Sequence, residues 1–415
     1  IKRHRILNPA QTARLEPILP QQGLVGAAHY YDCLVDDARL TLATIQSAYQ
    51  HGALVANYAQ VSGLLKENGK VSGIQVLDRL SGETFTVRAR ATVNATGVWV
   101  DQVRHMDDSD AEEIIRANRG SHLVLPREKL NIQSAVAFIG ADNNRAIYAV
   151  PWEETCIVGT TDVDHSGDLD EVTVTTQEVE SLLNSTNFMF PGANLRLDDI
   201  ISTFAGLRPL IDEKGKTPYQ VSRDHQIIES QAGLISIAGG KLTTYRRMAE
   251  DLVDLVSERL EEGFGIRAAQ NNKSDQVSLT DASFDPESKL AELAEAYPNV
   301  DHDVLRHLVH TYGTDCSIVL APIGDNDQMT HRIVSGLPYI RAEIPYMIAY
   351  EMAVTLNDLL IRRTHIIHED RDQGLGCAPD VALMMAQYLG WDSAEIKRQI
   401  GDYNREVDLS RAYLN

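Results

Sequence analysis

The sequence predicts an α/β protein followed by an all-helical region, and three observations lead to this fold class. The first is the length, because 415 residues correspond to about two or three domains. The second is a strand-rich stretch over residues 120–237, where short apolar runs alternate with turn residues. The third is a change after Gly240, beyond which apolar residues follow helical spacing and strand signals are few.

Composition and charge restrict the class of protein further. The chain is 43% hydrophobic and 23% charged, as is ordinary for a globular protein and not for a disordered or collagen-like chain. Its 38 Lys and Arg residues against 59 Asp and Glu residues give a net charge of −21. This balance argues against nucleic-acid binding, because polyphosphates attract clustered cations. Most of the charge lies in residues 248–415, where 14 basic and 29 acidic residues give −15.

Cysteine usage and apolar runs exclude two more classes. The four cysteines are far apart and form no C-x-x-C pair, which favours reduced thiols over a disulfide framework. No run of ~18 apolar residues exists, so the sequence predicts no membrane-spanning helix.

Capping residues predict the first two helices. Asn8 followed by Pro9 indicates a helix start, because Asn caps the first turn and Pro at its first position loses no hydrogen bond. Asp36 and Asp37 precede a second helix over about 38–51, with apolar residues on one face and a glycine directly after its end.

Turn residues and alternating runs predict the strands. Turns at 67–70 and 81–82 separate alternating runs at 71–80 and 84–93, so we expect an antiparallel meander that ends at 94–97. The strand-rich stretch that follows includes apolar runs at 122–125, 146–150 and 156–159. A long helix is expected after Gly240, and mostly helices from about residue 274 onward.

Acidic and histidine clusters resemble metal sites but fail on spacing. Residues 162–167 resemble the first half of a calcium loop, yet position twelve is Thr173, where a bidentate Glu is needed. Two pairs of histidines stand three residues apart, His307 with His310 and His365 with His368, and neither pair has an evident third ligand. We therefore expect packed or surface histidines and no metal.

A local cluster of cations stands out within this acidic chain. Residues 204–247 contain seven Lys and Arg against four Asp and Glu, a local net charge of +3. Three of these cations have unusual neighbours: Arg208 precedes a proline, Arg223 opens Arg-Asp-His, and Lys241 follows two glycines. Guanidinium and ammonium groups in such settings suit phosphate oxygens, although scattered surface cations remain the alternative.

The segment that leads to Lys241 adds a second feature. A buried-type strand at 233–238 reaches Gly239 and Gly240, and a helix follows. Glycines permit close backbone approach, and a helix N-terminus presents free N–H groups that favour negative charge. A purely structural turn explains the same pattern equally well.

Several segments together resemble the FAD-dependent glycerol-3-phosphate dehydrogenases of the D-amino-acid-oxidase-like flavoprotein superfamily. They cover most of the chain in the family's order. The matching segments are YYDCLVDDARLTLATIQSAYQHGA (30–53), NATGVWVD (94–101), RGSHLVLP (119–126), VPWEETCIVGTTDVDH (150–165), FAGLRPL (204–210), SRDH (222–225), GGKLTTYRRMAE (239–250) and LPYIRAEIPYMIAYEMAVTLNDLLIRRTHI (337–366).

The resemblance implies roles for four polar residues. Arg208, Arg223 and Lys241 would hold the substrate phosphate, and Arg208 and Lys241 are also expected in the catalytic centre with His122. His122 is expected to be the base that removes the C2 hydroxyl proton, a role that suits a neutral imidazole. A histidine that only positions the substrate is the open alternative.

The resemblance also implies the cofactor and its contacts. We expect FAD, with Val61 near its adenosine part, Thr96, Gly97 and Trp99 along it, and the turn after Gly239 at its isoalloxazine ring. The expected contacts in that turn are Gly240, Leu242, Thr243 and Thr244. Residues 159–162 are expected to border the pocket.

The implied architecture is an incomplete Rossmann-like FAD-binding domain interleaved with an antiparallel-sheet substrate domain, followed by the helical domain. The expected bounds are 1–35 and 111–232 for the substrate domain, 36–110 and 233–265 for the FAD domain, and 274–415 for the helical domain. Family members begin with a strand, a G-x-G-x-x-G turn and a helix, which this sequence does not contain. We therefore expect an N-terminally truncated chain.

The implied reaction is oxidation of sn-glycerol 3-phosphate to dihydroxyacetone phosphate, with hydride transfer to FAD and electrons passed to a membrane quinone. The implied location is the cytoplasmic face of the inner membrane, by peripheral attachment, with a homodimer as one open oligomeric state. An oxidase that uses O2 is the nearest alternative, and an amine or amino-acid oxidase is a more distant one. A different class of answer is an inactive fragment that lacks the pyrophosphate-binding unit.

Overall fold

The computed structural model describes residues 3–141, 145–212, 224–268, 272–279, 281, 283–324 and 326–414. Its strands are β1 (Arg5–Leu7), β2 (Ala27–His29), β3 (Ala59–Glu67), β4 (Lys70–Asp78), β5 (Thr84–Arg88), β6 (Thr92–Asn94), β7 (Ile115–Pro126), β8 (Val136–Ile139), β9 (Ala146–Trp152), β10 (Thr155–Gly159), β11 (Val163–Asp164), β12 (Ser202–Ile211), β13 (His225–Glu229) and β14 (Leu234–Gly239). Its helices are α1 (Pro9–Leu15), α2 (Asp37–Gln50), α3 (Val100–Asp107), α4 (Arg127–Leu130), α5 (Thr176–Met189), α6 (Tyr245–Phe264), α7 (Pro286–Ala296), α8 (His302–Tyr312), α9 (Cys316–Leu320), α10 (Glu343–Glu351), α11 (Ile366–Glu369), α12 (Ala378–Leu389) and α13 (Ser393–Ser410).

The largest sheet is antiparallel and is built around β7. On one edge β7 pairs with β12 over ten residues, and on the other edge it pairs first with β11 and then with β10. The sheet continues through β9 to β8. Leu123 and Leu125 point from β7 into a core that includes Leu182 of α5. Since side chains alternate along a strand, His122 and Ser121 lie on opposite faces of β7.

Two smaller sheets hold the regions that are expected to contact the cofactor. The meander β3–β4–β5 is antiparallel, and its first turn uses Asn68 and Gly69 with φ of 51° and 76°, the left-handed pair that a tight hairpin needs. The other sheet has the order β13–β14–β6, with β14 and β6 parallel. The predicted boundary at residue 233 falls in the turn between β13 and β14, and the domain bounds stay a prediction.

The helical region forms its own core. Helices from α7 to α13 pack around fully buried residues such as Leu305, Met347 and Leu360. An ion pair joins the helical region to the preceding part of the chain: the guanidinium of Arg39 lies 2.7 Å from a carboxylate oxygen of the buried Glu351. No helix in the described ranges is both long enough and apolar enough to cross a bilayer.

Local predictions can be compared with these elements directly. The first helix is confirmed, and Asn8 and Gln11 form its capping box. The second begins at Asp37 with Asp36 as its N-cap. The helical C-terminal region is also confirmed. The meander is confirmed over β3–β5, but the run expected at 84–93 is divided, because β5 ends at Arg88 and β6 pairs with β14 in a different sheet. The helix expected after Gly240 begins at Tyr245, because a 3-10 turn (Leu242–Thr244) comes between.

The residues of the two rejected metal motifs have ordinary structural partners. Asp164 lies in β11, and its carboxylate accepts hydrogen bonds from Arg116. His307 hydrogen-bonds to Glu343 at 2.9 Å and His365 to Asp36 at 2.7 Å. Within the described part of the chain, no group of three or more His, Cys, Asp or Glu residues could hold a metal ion.

Candidate active site

His122 lies in the middle of β7, between neighbours from both adjacent strands. Its cross-strand partners are Gly159 of β10 and Phe204 of β12. The rings of His122 and Phe204 are stacked, with centroids 4.7 Å apart and planes 11° apart. Gly159 leaves room for the imidazole, because a Cβ there would overlap its ring atoms. The imidazole is thus held in a slot between an aromatic ring and a glycine.

This environment keeps His122 neutral at physiological pH. Burial lowers the pKa of His122 to about 4, and the positive charge of Arg208 acts in the same direction. Both effects disfavour the imidazolium form. The Nδ1 atom is buried and has no hydrogen-bond partner among the described residues. A neutral imidazole has a lone pair on one ring nitrogen, which is the form that a general base requires.

Arg208 projects from β12 on the same face as His122. Its Nη1 donates to Asn118 Oδ1 at 2.6 Å and its Nη2 to Thr160 Oγ1 at 3.0 Å. The guanidinium lies over Gly120, where a Cβ would stand only 2.8 Å from Cζ of the arginine. Gly120 is two residues from His122, about 7 Å along the strand. A cation and a neutral imidazole therefore share one small region of the sheet.

A buried carboxylate on the opposite face supports this region. Glu178 of α5 accepts hydrogen bonds from Ser121 Oγ and Thr161 Oγ1, both at 2.8 Å, and pairs with Arg119 at 2.9 Å. Burial acts to raise the pKa of Glu178, but hydrogen bonds from Thr161, Thr175 and Ser121 outweigh it and lower the pKa. The glutamate thereby fixes the loop whose Thr160 hydroxyl contacts the guanidinium.

The parallel strands β6 and β14 have their carboxyl ends on the same side of their sheet, and each is followed by a turn that contains glycine. After β6, the Thr96 hydroxyl donates to Asn94 Oδ1 at 2.7 Å, and Gly97 adopts a φ of 63°. The Asn94 amide in turn donates to the Val100 carbonyl at 2.9 Å, which fixes the turn that carries Trp99. Ligands of open α/β sheets bind at such carboxyl ends of parallel strands.

The turn after β14 presents backbone and a cation to solvent. Gly239 and Gly240 have φ of 78° and 79°, and residues other than glycine rarely adopt such values. Leu242, Thr243 and Thr244 of the following 3-10 turn are all exposed. Exposed N–H groups where a helix begins favour a polar or anionic ligand.

Lys241 lies in the same turn, two residues after Gly239 at the end of β14. It is exposed, and among the described residues its ammonium group has no ion-pair partner. A Cβ at Gly239 would stand 3.0 Å from the Ile211 side chain, and Ile211 is three residues, about 10 Å, beyond Arg208 along β12.

A cleft of about 910 Å³ joins the expected cofactor turn to β12. Its lining includes Gly97, Trp99, Phe204 and Leu207, and also His368 from the helical region. The structure thus brings the turn after β6, Phe204 and the helical region around one opening, while His122 and Arg208 are not among its lining residues.

Of the predicted site residues that the structure describes, Gly97 and Trp99 line this cleft, and the described contacts do not join Lys241 or the turn 240–244 to it. Val61 lies in β3 opposite Val76, in a different sheet from the other candidates. Arg223 lies outside the described residues. Their roles, like those of the other predicted site residues, stay a prediction.

Sequence reasoning missed Phe204, Asn118 and Glu178. Asn118 is fully buried within β7. A polar residue inside a predicted strand is the signal that could have identified it. Glu178 completes the capping box of α5 with Thr175, so its sequence context predicts a helix start and not a support for Arg208. For Phe204 the sequence offers no signal beyond its position four residues before the arginine.

Comparison with known proteins gives consistent matches along the chain. Residues 1–246 match the FAD dependent oxidoreductase family, and residues 272–396 match the C-terminal domain of alpha-glycerophosphate oxidase. Aerobic glycerol-3-phosphate dehydrogenases of Staphylococcus aureus strains bovine RF122 and USA300 are each 35% identical over 98% of this chain and 73% of the relative. The structure of glycerol-3-phosphate dehydrogenase from Bacillus halodurans complexed with FAD matches with a TM-score of 0.84 and 31% identity, over 99% of this chain and 80% of that one.

Proposed function

The chain belongs to the family of FAD-dependent oxidoreductases, and from this membership we propose that it oxidises sn-glycerol 3-phosphate to dihydroxyacetone phosphate. One observation carries the choice of substrate: the Arg208 guanidinium lies on the same sheet face as the neutral His122, over a glycine only two residues away. A three-carbon substrate with a phosphate at one end and a hydroxyl at the next carbon fits such a pair. The relatives that carry this substrate in their names support the same choice.

The cations would bind the phosphate. Arg208 is held at two points by Asn118 and Thr160, so little side-chain freedom remains to be lost when a phosphate binds. Lys241 adds a mobile point charge from the turn after β14. Arg223 is proposed as the third cation on the basis of the family resemblance.

His122 would act as the general base for the C2 hydroxyl. Its imidazole is uncharged near neutral pH because burial and Arg208 lower its pKa to about 4. The slot formed by Phe204 and Gly159 restricts the orientation of the ring, which positioned proton transfer requires. Arg208 and Lys241 complete the proposed catalytic centre by holding the substrate against this base.

The residues at the ends of β6 and β14 fit FAD. Two adjacent parallel strands end in turns that contain glycines with positive φ, and residues 241–244 after β14 are exposed. FAD supplies the acceptor for two electrons when it is bound. Thr96, Gly97 and Trp99 on one turn, and Gly240, Leu242, Thr243 and Thr244 on the other, would hold it, with Val61 toward the adenosine part.

The electron acceptor is proposed to be a quinone in the membrane. This assignment implies peripheral attachment at the cytoplasmic face of the inner membrane, and a homodimer is proposed as the assembly. A second candidate, an oxidase that reduces O2 to H2O2, is favoured by the match of residues 272–396 to the C-terminal domain of alpha-glycerophosphate oxidase.

One experiment separates these activities. The FAD-loaded protein is incubated with sn-glycerol 3-phosphate in air, with and without a short-chain quinone, while quinol and H2O2 are measured. The proposal predicts quinone-dependent turnover with little peroxide. Stoichiometric peroxide would support the oxidase instead, and no turnover with either acceptor would contradict the proposed substrate. Glycerol and glycine serve as controls, since neither has a phosphate for the cations.

A further inference from the structure

Phe204 contacts two imidazole rings that come from different parts of the chain. One is His122 of β7, stacked at 4.7 Å. The other is His368 of α11 in the helical region, whose ring centroid is 5.1 Å from that of Phe204 at an angle of 55°. The phenyl ring therefore contacts both His122 and the helical region.

His368 is fixed in place by β12 itself. Its Nδ1 lies 3.3 Å from Ser202 Oγ, and its backbone carbonyl accepts from the same hydroxyl at 3.4 Å. Ser202 is fully buried and lies two residues before Phe204, on the same face of the strand. Burial lowers the pKa of His368 to about 3, and the neighbouring His365 acts in the same direction. His368 is therefore uncharged and acts on Phe204 by packing.

A second set of bonds fixes the opposite face of β12 to the helical region. The Thr203 hydroxyl donates to the Ser410 carbonyl at 2.6 Å, and the Ser410 hydroxyl donates to the Thr203 carbonyl at 2.9 Å. Ser410 is the last residue of α13. The helical region thus contacts the start of β12 on both faces. Arg208 lies in the second half of the same strand.

We propose that His368 is a positioning residue for the candidate base, and that through Phe204 the helical region sets the orientation of the His122 imidazole. This inference rests on the proposed function, in which His122 removes the hydroxyl proton. The phenyl ring covers one face of the imidazole and prevents it from tilting, and His368 prevents the phenyl ring from moving away. The helical region is then part of the active site and not only an appended domain.

The charged groups around His122 and His368 indicate that His368 affects His122 by packing and not by charge. The charged group that acts on His122 is Arg208 of β12, and Gly159 on the neighbouring strand brings no charge. The group that acts on His368 is His365, which is itself paired with Asp36. The ring of His368 contacts Phe204, which is itself stacked on His122, so removal of His368 is expected to change the order and hydration of the base.

The test replaces His368 by Leu and, separately, Phe204 by Leu, in the FAD-loaded protein. We expect kcat to fall about 10-fold in H368L, since small displacements of a reacting group cost up to about 100-fold, with KM for glycerol 3-phosphate little changed. The acid limb of the kcat profile should move to higher pH in both variants, because water that reaches His122 favours its charged form.

A readout that does not depend on the flavin is the modification of His122 by diethyl pyrocarbonate, measured by mass spectrometry. H368L and F204L should raise the rate of modification at His122, because the imidazole loses its cover. Phe204→Tyr keeps the ring and should restore both the slow modification and the pH profile of the parent protein. A double-mutant cycle between His368 and Phe204 should give effects on kcat that are clearly less than multiplicative.

Ser410→Ala is the matched control. It removes a contact between the same strand and the same helical region on the opposite face, so it should lower thermal stability without moving the acid limb or the modification rate.

The outcomes distinguish this inference from the proposed function. An H368L protein with the parent's pH profile and modification rate would overturn the inference, even if its stability were lower. The same shifts in S410A would also overturn it, because they would show a general effect of loosening the domain contact. If His122→Ala itself leaves kcat unchanged, the role of the base is wrong, and the proposed function fails at that point.

Discussion

Replacing Arg208 by Met removes the guanidinium charge while keeping most of the length of the side chain. In the structure this guanidinium donates to Asn118 and Thr160 and lies over Gly120, two residues from the candidate base. We expect R208M to weaken the binding of glycerol 3-phosphate and, separately, to change the titration of His122.

The magnitude follows from the contacts that are lost. A hydrogen bond to a charged group contributes about 1.5–3 kcal/mol, which corresponds to about 10- to 150-fold in kcat/KM at 1.36 kcal/mol per factor of ten. Most of this loss should be in KM, because the phosphate is bound in the ground state and in the transition state alike. Arg208→Lys keeps the charge but not the planar fork, so its loss should be smaller.

The second effect has a defined sign. Arg208 contributes to the low pKa of His122, after burial as the larger cause. Removing the cation should raise the pKa of His122 toward the ordinary value, and the acid limb of kcat should move to higher pH. Because burial remains, the shift should stop short of the unperturbed value near 6.5.

The assay is steady-state reduction of an artificial electron acceptor by the FAD-loaded protein over a range of pH. Glycerol, which has no phosphate, is the control substrate, and at pH values above the acid limb R208M should leave its slow oxidation unchanged. Thermal unfolding checks that the variant is folded, since Asn118 and Thr160 lose a partner. A folded R208M protein with the parent's KM for glycerol 3-phosphate would refute the placement of the phosphate at Arg208.

Three further predictions concern neighbouring residues. Lys241→Ala should raise KM for glycerol 3-phosphate with little change in thermal stability, because the side chain is exposed and has no ion-pair partner in the described structure; an unchanged KM would remove Lys241 from the site. Gly159→Ala should lower kcat because its methyl group overlaps the His122 ring, and equal activity would show that the slot is not needed. Glu178→Gln should lower the free energy of unfolding by about 1–3 kcal/mol at pH 7. The pKa of Glu178 is lowered in the folded state, so the folded protein should lose this stabilisation as pH falls below the ordinary range of Glu. E178Q should therefore show a flatter dependence of stability on pH there, and a parallel curve would contradict the reasoning.

Sequence patterns were sufficient where the determinants of structure are local. The capping box of Asn8 and Gln11 and the Asn68–Gly69 hairpin are specified by residues within four positions of one another. Arg208 and Lys241 could be selected because their neighbours in sequence, a proline and two glycines, are unusual for surface cations.

The support of the site could not be predicted in this way because its partners are distant in sequence. Glu178 lies 57 residues after Ser121, and His368 lies 166 residues after Ser202. Which side chains meet is decided by the register between β7 and β12 and by the docking of the helical region. A phenylalanine within an apolar run and a histidine at helical spacing have the same appearance in sequence whether or not they touch.

The most direct test of the account is the anaerobic addition of sn-glycerol 3-phosphate to the FAD-loaded protein, followed by the absorbance of the flavin. We expect rapid bleaching with this substrate, slow bleaching with glycerol, and a marked slowing in His122→Ala and R208M. Bleaching by glycine or another amine, or equal rates with glycerol and glycerol 3-phosphate, would contradict the proposal that a cation on this sheet face selects a phosphorylated alcohol and that a neutral histidine beside it takes the hydroxyl proton while FAD takes the electrons.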